Sequence, residues 1–277
     1  MSIVAAFALG VIQGITEFLP ISSTGHLILA RLLIPLEAVE PLLFDAMVHV
    51  GTLIAVLTAL RPEVIRVLRG LVDWVFRHQN PDSRLAGVIL LGTVPAAVAG
   101  YVLEDIIERS LRSEWVVVIA LAVVALIFLL VEERREQAYR QAGRAREVTE
   151  VSWSRGFLMG LAQAIALIPG VSRSGITIAA GMLLDLTREA AARFAFLLSI
   201  PIILGAGVRQ LTRLGAVTIT PEGWGVIIAG VIGAAVAGFL AIRLLLRFLA
   251  TGTLRPFAYY RLAIALVIAL VLFIVER

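Results

Sequence analysis

The chain contains no cysteine and no lysine among its 277 residues. Without cysteine there are no disulfides, no thiolate nucleophile and no cysteine-held metal. Without lysine, all 24 basic residues are arginine. Charge is scarce altogether: only 16% of residues are Asp, Glu, Lys or Arg, against roughly 25% in soluble domains. Combined with 60% hydrophobic residues and a mean hydropathy of +0.98, this excludes an ordinary water-soluble globule. A net charge of +4 and a pI near 10.3 would suit nucleic acid. The arginines, however, sit in short loops between apolar runs, which fits positive-inside topology, and no nucleic-acid partner is expected. No Walker A, GxGxxG or HExxH pattern occurs. The 4 Trp and 4 Tyr are too few to outline an aromatic belt. The opening MSIVAAFALG has no basic n-region and runs into Gln13, Glu17 and Pro20 instead of a cleavage site, so it is expected to be retained.

What the chain does have is apolar length. Stretches of roughly 20 residues, enough to cross a bilayer, fall near 42–60, 85–103, 115–131, 190–210, 223–249 and 257–275. Two more, 3–34 and 153–184, are each interrupted midway by Pro, Gly and hydroxyl residues. Backbone broken at membrane depth is tolerated only when packed in protein or lining a wet cavity. A shift of 150 residues superimposes these two segments, matching Gly10 with Gly160, Gln13 with Gln163, Ser22 with Ser172, Thr24 with Ser174, Gly25 with Gly175 and, later, Phe44 with Phe194. Each copy then reads as one broken hairpin followed by three spans, and an odd number of spans inverts the second copy. The expected architecture is an all-α polytopic membrane protein with six transmembrane helices plus two re-entrant helical hairpins in an inverted-topology repeat. Residues 1–147 form the first repeat and 148–277 the second.

Arginine placement orients the chain. The 61–84 loop carries Arg61, Arg66, Arg69, Arg77 and Arg84, and the 132–155 loop carries Arg134, Arg135, Arg140, Arg144, Arg146 and Arg155. The 104–114 loop has only Arg109 and Arg112 against four acids, and 211–222 only Arg213. With the rich loops in the cytoplasm, the first hairpin dips in from outside and the second from the cytoplasm, so their tips can meet. The 132–155 stretch reads as a solvated connector. Arg193, Arg243 and Arg261 read as interfacial residues whose guanidinium groups snorkel to water. Thr187 reads as a helix cap with Glu189 in the first turn.

Two motifs carry chemistry. Residues 10–26 read GVIQGITEFLPISSTGH, in which Gln13 and Glu17 share a helix face, Pro20 ends the helix, and Ser22, Ser23 and Thr24 precede Gly25 and His26. Residues 169–175 read PGVSRSG, with Ser172 and Ser174 flanking Arg173. An acid at membrane depth costs roughly 2.5–3.5 kcal/mol on insertion scales, so its presence asks for a use. Arginine suits phosphate through paired hydrogen bonds. The bland readings make Glu17 a structural acid near the surface and Arg173 an interfacial arginine. Against them stands the asymmetry of the repeat: Glu17, Ser23 and His26 align with Leu167, Arg173 and Ile176. An acid, a hydroxyl and an imidazole opposite a cation suit a phosphoester site. Asp45 and His49, four apart, read as a pair with each other.

These motifs resemble the two signatures of the undecaprenyl pyrophosphate phosphatases of the bacitracin-resistance type, and FLLSIP at 196–201 and PFAYYR at 256–261 extend the resemblance over nearly the whole chain. The resemblance implies a bacterial inner-membrane hydrolase with its site facing the periplasm, cleaving undecaprenyl pyrophosphate to undecaprenyl phosphate and inorganic phosphate with a divalent cation, Mg²⁺ or Ca²⁺. Such an activity recycles the lipid carrier of cell-wall synthesis and confers bacitracin resistance. It implies Ser23 as nucleophile, His26 as its acid/base partner, Glu17 and Gln13 toward the metal, and Arg173 as pyrophosphate clamp. Ser22, Thr24, Gly25, Ser172, Ser174 and Gly175 support the substrate. Gln13 stands where many relatives carry Glu, which removes one negative ligand. Direct attack by Ser23 and attack by a His26-activated water both remain open at this stage. The expected partners are the polyprenyl lipid, the bilayer and, as a candidate, a second copy of the chain. The competing function is a lipid-phosphate flippase, which inverted repeats also serve.

Overall fold

The computed structural model describes residues 2–34, 40–103, 106–107, 110–111, 113–142, 147–213 and 219–275. Among the described residues there are helices and no strands. Arg109, Arg112, Arg144 and Arg146 lie outside them.

Where helices begin and end follows from local chemistry. The first interrupted segment forms α1 (Ile3–Phe18) and α2 (Ser23–Leu33). Ser2 caps α1 by accepting from the Ala5 amide. Leu19 is extended, at φ −65° and ψ 141°, because the ring of Pro20 crowds the helical conformation of the residue before it. The second interrupted segment forms α7 (Trp153–Ile165) and α8 (Arg173–Leu183). Between them lie α3 (Pro41–Ala59), α4 (Arg61–Val75), α5 (Pro81–Val102) and α6 (Glu114–Ala142), and after them α9 (Arg188–Arg213), α10 (Pro221–Leu249) and α11 (Arg255–Val275). Asn80 and Ser83 form a reciprocal capping box with Pro81 in the first turn of α5, and Thr220 caps α10 ahead of Pro221. Thr187 accepts from the Ala190 amide at 3.0 Å, the cap expected from sequence.

Among the described residues five helices, α5, α6, α9, α10 and α11, are long and apolar enough to span a bilayer by themselves. The sixth expected span, near 42–60, is α3, which passes that test only together with α4, and the two meet at 90°. Lipid-facing character is plain on α10. Ile228, Ile232, Val236, Leu240 and Leu244 repeat every fourth residue, each about half exposed, down one side of the helix. Its opposite side buries Val226, Ala229, Ala237, Ala241 and Leu245.

The helices are held closely by small residues. A Cβ on Gly10 of α1 would stand 2.1 Å from the Gly230 carbonyl of α10, and one on Gly160 of α7 would stand 2.0 Å from the Gly92 carbonyl of α5. With no Cβ, backbones approach to van der Waals contact, which drives association where lipid removes the hydrophobic effect. Thus α1 packs on α10 and α7 on α5; likewise α2 touches α6 and α11, and α8 touches α6. The main core fills the space between, with Phe18, Phe128, Phe194 and Phe196 fully buried and the rings of Phe18 and Phe196 edge-to-face at 5.5 Å.

Two expectations are corrected. The 132–155 stretch is no mere solvated connector: α6 continues through Ala142, and its Glu132 is fully buried. That carboxylate accepts from the Arg188 guanidinium (Nε to Oε1, 2.9 Å) and from the Leu254 amide (2.7 Å), so it ties α6 to the starts of α9 and α11. Arg135 and Arg155 donate to the carbonyls of Leu186 and Leu184. Nor do all three singled-out arginines snorkel. Arg193 pairs with Glu63 and Glu189, Arg243 is exposed and covers the Phe239 ring, and Arg261 is fully buried. A guanidinium with enough acceptors inside the protein has no need to reach water.

Candidate active site

The two helix breaks come together. Glu17 lies one residue from the end of α1, Ser23 opens α2 and Arg173 opens α8. Arg173 Nη2 donates to Glu17 Oε1 at 2.9 Å, while Ser23 Oγ donates to Glu17 Oε2 at 3.2 Å. One carboxylate therefore holds a hydroxyl on one oxygen and a guanidinium on the other. The side chains are 9% exposed for Glu17 and 14% for Arg173, a burial neither charge would bear without the other. Ser174 Oγ donates to the Leu19 carbonyl at 3.3 Å, fastening the second loop to the first.

The backbone does the aiming. Ser22 (φ 73°, ψ 107°) and Ser172 (φ 72°, ψ 111°), the caps of α2 and α8, share one conformation in a region that side-chain-bearing residues rarely occupy. Each turns the chain so that the next residue, Ser23 or Arg173, begins its helix at the meeting point. Both helix starts, with their positive dipole ends, then lie at one site.

Beside this cluster is a cavity of about 410 Å³. One wall is polar, with Glu17, Ser23, Thr24, His49, Ser172 and Arg173; another is apolar, with Ile202, Ile203, Ala206 and Gly207 of α9. Such a cavity offers anion chemistry next to a surface for hydrocarbon. Two polar atoms here are buried without a hydrogen-bond partner among the described residues: Gln13 Oε1 and Arg173 Nη1. An unsatisfied donor on a cation and an unsatisfied amide oxygen are features a ligand can complete.

Of the residues singled out from sequence, Glu17, Ser22, Ser23, Thr24, Ser172 and Arg173 line the cavity. Gln13 stands behind, its Nε2 3.1 Å from Glu17 Oε2. Gly25 packs against α6 and α11 side chains, and Gly175 lies so close to Phe128 that a Cβ would meet its ring at 2.8 Å. Ser174 is fully buried between the loops. His26 faces away from the cavity lining. Its Nδ1 lies 2.7 Å from the Ser22 carbonyl, which requires a proton on that nitrogen, so Nε2 accepts from the Tyr260 hydroxyl at 2.7 Å.

The imidazole in the cavity is His49. Its Nδ1 donates to the Asp45 carbonyl at 2.7 Å, which leaves Nε2 to accept from Gln13 Nε2 at 3.2 Å, with Glu17 Oε2 3.9 Å away. The four-residue spacing suggests a pair with Asp45 and gives no hint of the contacts to Gln13 and Glu17. The signal was an ionisable residue inside an apolar helix, which by default marks function.

Among the described residues no three His, Asp or Glu side chains converge as a ready-made metal centre. The Gln13 amide nevertheless lies against the Glu17 carboxylate, Nε2 3.1 Å from Oε2, and its Oε1 is a second hard oxygen donor without a hydrogen-bond partner among the described residues. Mg²⁺ is commonly held by one or two such groups, with substrate phosphates and water completing the shell. The donor set fits a divalent cation that arrives with a polyphosphate ligand.

Comparison with known proteins agrees with this chemistry. The family model for bacitracin resistance protein BacA matches residues 6–267. An undecaprenyl-diphosphatase of Rubrobacter xylanophilus is 44% identical over 98% of this chain and 99% of its own length. One of Chromohalobacter salexigens is 43% identical over 94% and 96%, and one of Aliivibrio salmonicida is 40% identical over 95% of each.

Proposed function

The chain belongs to the family of the bacitracin resistance protein BacA, and on that premise we infer that it is a membrane hydrolase converting undecaprenyl pyrophosphate to undecaprenyl phosphate and inorganic phosphate. It thereby returns the lipid carrier of cell-wall synthesis to use and confers resistance to bacitracin. The observation that carries the site assignment is the placing of Ser23 and Arg173 on opposite oxygens of Glu17.

In our reading Arg173 binds the diphosphate, and its unpartnered Nη1 gives it a donor for a phosphate oxygen. Ser23 Oγ attacks the distal phosphorus as its proton passes to Glu17 Oε2. The bond from that phosphorus to the bridging oxygen breaks, and the prenyl phosphate leaves, taking the proton from Glu17. Water then attacks the phosphoserine, giving its proton to Glu17, which returns it to the departing Ser23 oxygen. One water is consumed and one phosphate released. Glu17 and Gln13 would hold the divalent cation, Mg²⁺ or Ca²⁺, which when bound would neutralise charge on the diphosphate. Hydrogen bonds of His26 to Ser22 and Tyr260 support a role for it in holding the first loop. The α9 wall suits the first isoprene units. Ser22, Thr24 and Ser172 add polar contacts.

We further assign the site to the periplasmic face of the bacterial inner membrane, with repeats 1–147 and 148–277 inverted and the hairpins 3–34 and 153–184 re-entrant. The arginine distribution and the matching conformations at Ser22 and Ser172 support this. A native chain without cysteine makes topology testable: Gln79→Cys should be shielded from an impermeant maleimide applied to intact spheroplasts, and Glu222→Cys labelled. The reverse pattern overturns the orientation. For the activity, purified protein with Mg²⁺ should release phosphate from a C15 or C55 pyrophosphate. Flipping of lipid phosphate in vesicles without any phosphate release would instead favour a flippase, a function that has no use for a hydroxyl held on a carboxylate.

A further inference from the structure

Arg261 is the largest fully buried side chain. Its partners among the described residues are all backbone carbonyls. Nη1 donates to Pro20 (3.3 Å), Nη2 to Gly170 (2.9 Å), Val171 (3.2 Å) and Ala120 (3.3 Å), and Nε to Leu121 (3.3 Å). The Phe128 ring lies 5.5 Å from its Cζ. A cation buried without a carboxylate is expensive in a low-dielectric interior, and an apolar residue of similar volume would pack there without that cost. The carbonyls it satisfies are informative. Each interrupted helix ends with carbonyls that no longer have an i+4 amide, and a break inside a membrane protein must find donors for them. Pro20, Gly170 and Val171 belong to the two breaks. A guanidinium, with five N–H groups fixed in one plane, can serve both at once.

We propose that Arg261 is a positioning residue that sets the reactive geometry by clamping both interrupted loops from behind. Its acceptors lie immediately upstream of the reacting groups. Pro20 precedes Ser22 and Ser23; Val171 precedes Ser172 and Arg173. Ser22 and Ser172, at φ 73° and 72°, are the pivots between clamp and chemistry. A hinge in an unfavourable conformation persists only when its surroundings hold it, and the clamp does this for both pivots. Freed, each loop relaxes toward ordinary φ, swinging Ser23 and Arg173 off the shared carboxylate. The neighbouring Tyr260 adds a second hold on the first loop through His26 and the Ser22 carbonyl. One turn of α11 thus governs a site it does not line.

The inference rests on the hydrolase reading only for its kinetic readout. In purified full-length protein, Arg261→Met should lower kcat for farnesyl pyrophosphate by about 100-fold with KM within about 3-fold, the pattern of misplaced rather than missing binding groups. Arg261→Lys, which keeps the charge and some donors, should recover activity to within about 10-fold of wild type. Hydrogen exchange read on the same samples should quicken at both 19–24 and 168–174 and stay unchanged around Glu132 and Arg188. Should the methionine variant fail to fold, the lysine variant carries both readouts. A folded Arg261→Met with wild-type kcat, or exchange quickening at one loop or neither, overturns the clamp. Absence of phosphate release by wild type would instead defeat the hydrolase reading, leaving the exchange result to judge the clamp by itself.

Discussion

The two interrupted segments share a backbone and divide the chemistry. Both begin with a helix that crosses a partner through paired glycines, Gly10 on Gly230 and Gly160 on Gly92. Both bury a glutamine in that helix, Gln13 and Gln163. Both restart from a serine at nearly the same φ and ψ. Past that point they part. The first segment supplies Glu17 and Ser23, the second Leu167 and Arg173. Ser172 uses its own hydroxyl to cap the Gly175 amide at 3.3 Å, whereas Ser22 makes no such bond. Gln13 touches Glu17 and His49, while both polar atoms of Gln163 are buried without a hydrogen-bond partner among the described residues. The lesson is that two segments of matching backbone can fix where a loop goes, while single side chains decide which segment carries an acid and a hydroxyl and which carries a cation.

The sharpest way to break this comparison is to remove one reacting group at a time. Ser23→Ala and Arg173→Ala should each lower phosphate release by about 10³-fold in folded protein, since each removes a group that acts on the reacting phosphorus or its charge. Ser172→Ala, by contrast, should lose a helix cap, about 1 kcal/mol of stability, and one polar contact, lowering phosphate release by less than about 10-fold. A Ser172→Ala as inactive as Ser23→Ala would mean that the chemistry is shared between the two segments.

Next in size is the shared scaffold. Gly10→Ala and Gly160→Ala should both destabilise the protein by about 3 kcal/mol, because the new methyl meets a backbone carbonyl that cannot step aside. Gly207→Ala, where a Cβ would find nothing within 4 Å, should leave Tm unchanged. Tolerance at Gly10 with intolerance at Gly160 would undo the equivalence of the two crossings.

Smallest in stability, yet most diagnostic, is the glutamine pair. Gln163→Leu removes two unsatisfied polar atoms and should raise stability by about 1 kcal/mol with activity kept. Gln13→Leu should lower activity about 10-fold and raise the Mg²⁺ concentration needed for half-maximal rate, as loss of an oxygen ligand requires. Equal effects at the two positions would remove Gln13 from the site.

Much of this was legible before any coordinates. Pro20 and Pro169, each followed by a hydroxyl cluster, announced the breaks, because proline removes a donor and crowds the preceding turn. The apolar runs matched helices α3, α5, α6, α9, α10 and α11. Glu17, Ser23 and Arg173 were readable as a set, since polar groups at membrane depth need a reason to be there. Other residues resisted. His49 looked paired with Asp45 because spacing along a helix reveals which residues share a face, while the direction of a ring nitrogen depends on which backbone carbonyl the other nitrogen finds. His26 sits in the motif yet turns toward Tyr260, a contact across 234 positions of sequence. Arg261 resembled an interfacial charge and Glu132 part of a solvated connector, because burial is a property of what packs around a residue.

Composition and pattern by themselves determined the solvent, the number of apolar segments, the positions of both breaks and the kinds of group they carry, for these follow from hydropathy and backbone sterics acting over a few residues. Only the tertiary structure decided that the breaks meet, that one carboxylate holds both Ser23 and Arg173, and that a single guanidinium from α11 serves both loops. Those outcomes depend on helix crossings between distant parts of the chain, and no local preference encodes them.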